Sequence, residues 1–182
     1  MEVEFCTSNP GKLREARGIL APYGLTVRSL RRRLPEPQAD SLEEVVRAKL
    51  AAVPPNPIPR FVEDSGLFLT GLGGFPGVYS AYIYRIWEFA PILELLRRRP
   101  RDAVFRTVAG VRRGTTVRYF LGECHGTITA RPRGTLGFGF DPIFQPNGSA
   151  RTFAEMRPEA KWAISHRGQA LRAVGEFLAR SP

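Results

Sequence analysis

The sequence predicts an α/β protein built on a mixed β-sheet, and two observations lead to that class. Strand-like and helix-like segments alternate through the first third of the chain, which favours parallel pairing of the early strands. Further along, two segments rich in β-branched and aromatic residues flank a short turn at residues 112–114, which predicts an antiparallel hairpin. At 182 residues and 43% hydrophobic, the chain can bury a core as one domain spanning residues 1–182.

The first segments indicate strand, turn, helix and strand in succession. Val3 and Phe5 are apolar, residues 7–11 are turn-forming, and apolar side chains then recur with helical spacing up to Leu20. Gly24 ends this helix, and residues 25–30 predict a second strand.

A second helix is predicted from Ser41, because Glu44 stands at the spacing of a capping box. The proline-rich residues 54–59 end it. Residues 61–62 and 67–69 then predict two short strands around an acidic turn.

The remaining elements follow from turn residues and apolar spacing. Ser165 has the chemistry of an N-cap and predicts a C-terminal helix. Before it we expect a loop at 71–77, helices near 78–84 and 87–99, a hairpin of 103–111 with 116–123, and a further strand near 126–130.

Charge and composition exclude some classes of protein and leave others open. The formal net charge of +10 is compatible with nucleic-acid binding. However, the clusters at 31–33 and 97–99 have no interleaved aromatic residues, so we interpret them as solvated surfaces. No apolar stretch reaches the roughly 18 residues of a membrane span. With no basic leader or cleavage site at the N-terminus, we expect a cytoplasmic protein, in which Cys6 and Cys124 are reduced and buried.

Lysine is rare, and its positions are informative. Only Lys12, Lys49 and Lys161 are lysines among 27 basic residues. Lysine is a compact point charge, whereas the arginine guanidinium is a larger planar fork. We therefore predict that these three positions hold charges that must fit among phosphate oxygens.

The strand-to-helix turn from Thr7 to Lys12 is a candidate phosphate site. Backbone N–H groups at a helix N-terminus favour an anion, and Lys12 adds a positive charge there. The spacing is not that of a Walker loop, and an ordinary turn explains the segment comparably well.

The adjacent acids Glu63 and Asp64 are candidates for metal binding and catalysis. Neighbouring side chains on a strand point to opposite faces, so we expect a bend at Gly66 to let both acids share a site. Carboxylates suit Mg²⁺, which binds through one or two of them together with substrate phosphates. Glu36, held between two prolines, is a third candidate, although a solvated loop acid also accounts for it.

Two further segments favour a nucleotide. Alternating glycine and phenylalanine at 137–140 would place aromatic rings against a flat purine, with Asp141 as an acceptor at the rim; a turn with core phenylalanines is the alternative. His166 and Arg167 occupy the first turn of a helix, where a cation is unfavourable to the helix dipole. That placement predicts an anionic or oxygen-rich ligand nearby.

Six blocks, in order along nearly the whole chain, resemble the inosine triphosphate pyrophosphatase family. They are residues 7–12 with Glu15, residues 44–49, residues 63–77, residues 138–144, Thr152 with Glu155, and residues 161–167.

The resemblance implies an elongated two-lobed α/β fold around a long mixed sheet, with the active site in the cleft. It also implies a homodimer that uses Mg²⁺ to hydrolyse ITP, dITP and XTP to the monophosphate and pyrophosphate. Asp64 is then the catalytic base, and Glu36 and Asp64 are the metal ligands. The substrate-binding residues that it implies are Thr7, Ser8, Asn9, Pro10, Gly11, Lys12, Lys49, Ser65, Phe138, Gly139, Phe140, Asp141, Lys161, His166 and Arg167.

Two alternatives remain open at this stage. A related pyrophosphatase acting on modified pyrimidine nucleotides would carry similar motifs. A basic nucleic-acid-binding module would explain the arginines, but it gives no reason for the acid pair or for residues 138–141.

Overall fold

The computed structural model describes residues 1–180 of the chain. Its strands are β1 Glu2–Phe5, β2 Thr26–Ser29, β3 Arg60–Leu69, β4 Pro76–Gly77, β5 Asp102–Arg113, β6 Thr116–Ile128 and β7 Phe144–Pro146. Its α-helices are α1 Pro10–Leu20, α2 Leu42–Ala51, α3 Ser80–Trp87, α4 Ala90–Leu95, α5 Pro158–Ile164 and α6 His166–Ala179.

The seven strands form one mixed sheet, as the sequence predicts. The order across it is β2-β1-β3-β5-β6-β7, and the short β4 pairs with β3 outside this path. The early strands β2, β1 and β3 are mutually parallel, whereas β3, β5, β6 and β7 are antiparallel. The helices flank this sheet, so the predicted α/β class is confirmed.

Two strand predictions are wrong in the same way. Residues 61–62 and 67–69 belong to one continuous ten-residue strand, β3, and the segment near 126–130 is largely the end of β6. Ladder pairing between β3 and β5 runs unbroken from Arg60 to Leu69. A long antiparallel ladder therefore holds the acidic segment extended, where local turn chemistry predicted a bend.

Helix ends follow the predicted capping more closely. The Ser41 hydroxyl accepts the Glu44 N–H at 3.2 Å and donates to the Glu44 carboxylate at 2.8 Å. Ser165 accepts the N–H of Gly168 at 3.0 Å and begins α6. The short helix α5, immediately before it, is an element that the sequence patterns did not indicate.

One face of the long strands carries two apolar clusters with a polar band between them. The first cluster, against α1 and α6, includes Phe61 and Val111. The second, at the opposite ends of β3 and β5, includes Leu67 and Phe105. The polar band therefore separates two apolar cores along the same face of the sheet.

A third cluster fills the other face of the sheet, beneath α2. Cys6 and Cys124 are buried free thiols, as predicted. Within residues 1–180, no helix is both long and apolar enough to cross a membrane.

Candidate active site

The polar band on β3 and β5 is the floor of the candidate site. On this face of β3, Glu63 and Ser65 lie between the apolar residues Phe61 and Leu67, and Thr107 lies opposite Ser65 in the ladder. Glu63 and Thr107 are buried, so their polar atoms need partners within the protein.

The edge of β3 is open at this band. Arg60 and Phe61 pair with β1, and Leu67 and Phe68 pair with β4. Among the described strands, none pairs with this edge across residues 62–66. A ligand at the opening can therefore reach both faces of β3.

This opening allows both adjacent acids to face one candidate site without a bend. Glu63 faces Lys12 on the α1 side of the sheet, with Nζ and Oε1 2.7 Å apart. Asp64 faces Lys49 on the α2 side, also at 2.7 Å. The predicted bend at Gly66 is wrong, and the open edge takes its place.

Glu63 is held ionised by the charges around it. Burial alone would raise the pKa of its carboxyl group, but Arg167 and Lys12 outweigh burial and hold that pKa far below its usual range. Arg167 Nε donates to Glu63 Oε2 at 3.2 Å, and the Ser65 hydroxyl donates to the same oxygen at 2.9 Å. The single Ser65 proton is committed to this carboxylate, so the Thr107 hydroxyl is the donor in its 2.6 Å contact with Ser65.

Glu15 links the two buried cations of α5 and α6. Its Oε1 accepts from Lys161 at 2.7 Å, and its Oε2 accepts from Arg167 at 2.7 Å. Burial opposes ionisation, yet these two cations lower the pKa of the Glu15 carboxyl group. Glu15 belongs to a block that matches the family, but its pairing was not predicted, because the partners lie 146 and 152 residues away.

Asp141 and the phenylalanine segment depart from their expected places. Asp141 is buried, and its Oδ2 accepts from Lys161 at 2.6 Å and from the Phe138 N–H at 2.7 Å. Burial raises the pKa of the Asp141 carboxyl group against the opposing effect of Lys161. The prediction of an acceptor at the pocket rim is therefore wrong; Asp141 instead fixes the turn that presents Phe138.

The two phenylalanine rings occupy different environments. Phe140 is buried in the core with its ring edge-on to Tyr84, at a centroid distance of 5.2 Å. Phe138 is partly exposed and lies beside the cations. The centroid of its ring is 5.0 Å from Lys161 Nζ and 5.3 Å from Arg167 Cζ. Gly139 separates them at φ +60, a conformation that favours glycine.

His166 and Arg167 occupy the first turn of α6, as predicted. The protein itself supplies counter-charges to Arg167 and keeps His166 neutral. Arg167 is paired with Glu15 and Glu63. Burial, followed by repulsion from Arg167 and Lys161, holds the pKa of His166 well below its usual value, so the ring is neutral. The ring stacks on Phe105 at 4.5 Å, and its buried Nδ1 has no hydrogen-bond partner. His166 is therefore not a cation, and Arg167 has counter-charges within the protein, so the helix-dipole argument alone no longer requires an anionic ligand; an oxygen-rich ligand near these residues stays a prediction.

The turn before α1 is also arranged differently from the simple anion site. Asn9 caps the helix, and its Oδ1 accepts from the N–H groups of Gly11 at 2.9 Å and Lys12 at 3.1 Å. Pro10 has no N–H to offer. Thr7 lies two residues after β1, its Oγ1 accepts from the Asn9 N–H at 3.1 Å, and Ser8 is exposed. A phosphate at this turn would have to compete with the Asn9 side chain for those amides.

On the α2 face of the sheet, two carboxylates contact the ammonium group of Lys49. Its Nζ lies 2.7 Å from Asp64 Oδ1 and 3.1 Å from Glu36 Oε1. Burial would lower the pKa of Lys49, but Asp64 and Glu36 raise it. Within residues 1–180, no cluster of three or more acidic, histidine or cysteine side chains could hold a metal. Two carboxylates already arranged around one cation nevertheless fit Mg²⁺, which completes its shell with water and phosphate.

Comparisons with known proteins identify the family of the chain. A sequence model of the Ham1 family matches residues 3–177. The chain is 49% identical to the dITP/XTP pyrophosphatase of Thermococcus kodakarensis over 181 residues, covering 98% of this chain and 97% of that protein. It is 46% identical to the protein of the same name from Pyrococcus horikoshii over 180 residues, with the same coverage of both chains.

A solved structure supports the fold. The Ham1 protein of Staphylococcus aureus superposes with a TM-score of 0.82 at 27% sequence identity, covering 98% of each chain. The family predicted from the six motif blocks is thereby confirmed.

Proposed function

We propose that this chain, which belongs to the Ham1 family, is a single-domain pyrophosphatase spanning residues 1–182 that acts on purine nucleoside triphosphates with deaminated bases. It converts ITP, dITP and XTP to the monophosphate and pyrophosphate, and so removes deaminated purines from the nucleotide pool. The observation that carries the proposal is the set of three lysines, each paired with carboxylates around the open edge of β3. Relatives that are 46% and 49% identical bear the name dITP/XTP pyrophosphatase.

The triphosphate is placed at the opening of β3, within reach of Lys12 and Lys49. Both lysines give up their carboxylate partners to bind phosphate oxygens, as compact point charges can. Thr7 and Ser8 supply hydroxyl groups beside Lys12. Release of Lys49 then frees Glu36 and Asp64 to hold Mg²⁺, which neutralises phosphate charge when bound.

Asp64 is the proposed catalytic base. Its carboxylate lies at the open edge and has 15% of its side chain exposed, so a water molecule can reach it. There it orients the attacking water and accepts its proton.

Base selection is assigned to the cations beside Phe138. Lys161 uses two of its three N–H groups on Glu15 and Asp141, and Arg167 uses three of its five on Glu15, Glu63 and Ser65. The remaining donors favour the oxygen at position 6 of hypoxanthine or xanthine over the amino group of adenine, while Phe138 packs on the ring. Such a hydrogen bond can discriminate by up to about 10⁴-fold.

The protein is proposed to act in the cytoplasm as a homodimer. Tyr79, Tyr82 and Ile86 are exposed at helical spacing along α3, at 44%, 55% and 52%. Large exposed apolar side chains on one surface are typical of an interface. Analytical ultracentrifugation of the wild type and of Tyr82→Glu tests this, and a monomeric wild type contradicts it.

Pyrophosphate release across a panel of nucleoside triphosphates with Mg²⁺ tests the activity. We expect ITP, dITP and XTP to be preferred over ATP and over modified pyrimidine nucleotides, with no competition from a polynucleotide. Asp64→Asn is expected to lower kcat by about 10² or more while the protein remains folded. Near-normal turnover by this variant overturns the assignment of Asp64, and an unchanged ITP-to-ATP preference in Arg167→Ala overturns the account of base selection.

A further inference from the structure

The proposed reaction leaves one basic segment without a role. Arg31, Arg32 and Arg33 are consecutive and exposed in the loop between β2 and α2. Among the residues that the structure describes, none forms a hydrogen bond or ion pair with these three side chains. Their charges are therefore available to an external anion.

Both ends of this arginine segment are fixed to the candidate site. On one side, the Leu30 N–H donates to the Phe5 carbonyl at 2.9 Å, two residues before Thr7. On the other side, Glu36 contacts Lys49 at 3.1 Å. Each of the three arginines is within three residues, or about 10 Å of extended chain, of one of these two fixed positions.

A second link joins the same loop to the turn before α1. The Ser29 hydroxyl donates to the Thr7 carbonyl at 3.3 Å. Arg32 also acts electrostatically on Cys6, the residue before Thr7. Burial raises the pKa of the Cys6 thiol to about 11, and the charges of Arg60 and Arg32 oppose that rise. The charge of Arg32 thus acts on Cys6, which lies next to the proposed phosphate position.

The charge balance of the site shows why this matters. Its side chains comprise four cations and five carboxylic groups, namely Lys12, Lys49, Lys161 and Arg167 with Glu15, Glu36, Glu63, Asp64 and Asp141. These groups pair with one another and leave no excess of positive charge. They can bind a polyphosphate after it arrives, but together they do not attract it from a distance.

We propose that Arg31, Arg32 and Arg33 form an electrostatic capture segment that draws the polyphosphate of the substrate to the open edge of β3. The inference rests on the proposed function, because it takes a nucleoside triphosphate as the ligand. At physiological salt, charges act over about 8 Å, and the fixed ends of the loop keep the segment close to that range from the site. Steering of this kind acts on association and on KM, and leaves the chemical step unchanged.

The test compares two variants that remove the same charge from different places. The capture variant combines Arg31→Gln, Arg32→Gln and Arg33→Gln. The control variant combines Arg97→Gln, Arg98→Gln and Arg99→Gln. The control cluster is exposed after α4, and Arg99 donates to the Gly71 carbonyl at 3.2 Å. Gly71 lies beyond the far end of β3, and the seven residues of that strand from Glu63 to Leu69 span about 20 Å.

Two readouts are measured from 20 to 500 mM salt. One is kcat and KM for ITP, and the other is calorimetric binding of inorganic triphosphate without Mg²⁺, which needs no turnover. For the capture variant at low salt, we expect KM to rise about tenfold with kcat within about twofold, and triphosphate binding to weaken to a similar extent. The difference from the wild type should shrink as salt rises. The control variant should match the wild type.

Other outcomes overturn the inference. Equal losses in both variants would mean that net charge acts without regard to position, and no loss in either would mean that the segment is not used. A fall in kcat at constant KM would indicate a role in the chemical step. If the wild type hydrolyses none of the triphosphates, the proposed function fails, while triphosphate binding still decides whether the segment captures a polyanion.

Discussion

Replacing Glu15 by Gln is expected to cost a large part of the stability of the fold. The Glu15 carboxylate is 6% exposed and accepts from Lys161 and Arg167, each at 2.7 Å. An amide of the same shape can accept from one cation, but its NH₂ group then faces the other. Removing one partner of a buried ion pair typically costs 3–5 kcal/mol, so we expect a loss of about 3 kcal/mol or more in the free energy of unfolding.

Urea unfolding, followed by circular dichroism, measures this loss, and the thermal midpoint should fall by about 6 °C or more. Glu176→Gln is the matched control, because its pair with Arg180 is exposed and 3.5 Å long. Exposed pairs contribute about 0–1 kcal/mol. A loss below about 1 kcal/mol for Glu15→Gln, or losses of equal size in the two variants, would refute the view that Glu15 is the counter-charge that keeps these cations buried.

Three further predictions follow from the same geometry. Lys161→Arg should lower pyrophosphatase activity severely, because a planar guanidinium must then fit where a compact ammonium group, 3% exposed, lies between Glu15 and Asp141. Full activity in this variant would show that the lysine is an accident of composition. His166 stays neutral in the folded state while the unfolded chain takes up a proton below pH ~6.5, so stability should fall with decreasing pH by up to about 1.4 kcal/mol per unit. That slope, measured by urea unfolding between pH 5 and 7, should flatten in His166→Gln and persist in the exposed His125→Gln control. Gly122→Ala would place a Cβ 2.0 Å from the carbonyl oxygen of His166, so α6 would have to move away from β6. This displacement should lower both the thermal midpoint and the turnover of ITP. An unchanged melting curve would contradict that close packing.

Local chemistry predicted much of the fold because the signals lie within a few residues. Ser41 and Ser165 each cap the helix that follows them, as expected. The same local reasoning failed at residues 63–66, because a turn-like sequence gives no information about a partner strand. Residues 102–113 pair along the whole of β3 and keep the acidic segment extended.

The candidate site shows the same division. Motif order was enough to identify the family, and the rarity of lysine drew attention to Lys12, Lys49 and Lys161. It did not show that each lysine would have a carboxylate partner, or that Thr107 would donate to Ser65. Nothing in the sequence singled out Thr107, because threonine is common in β-strands.

The sequence by itself determined the family, the α/β class and the residue types of the site, because these depend on spacing and on side-chain chemistry. Only the tertiary structure decided which charges meet. Glu63 and Asp64 lie on opposite faces of β3 beside its open edge, and Glu15 meets cations about 150 residues away. The physical reason is that a buried charge is stable only beside its counter-charge, and the packing of the sheet against α1, α2, α5 and α6 fixes which counter-charge that is.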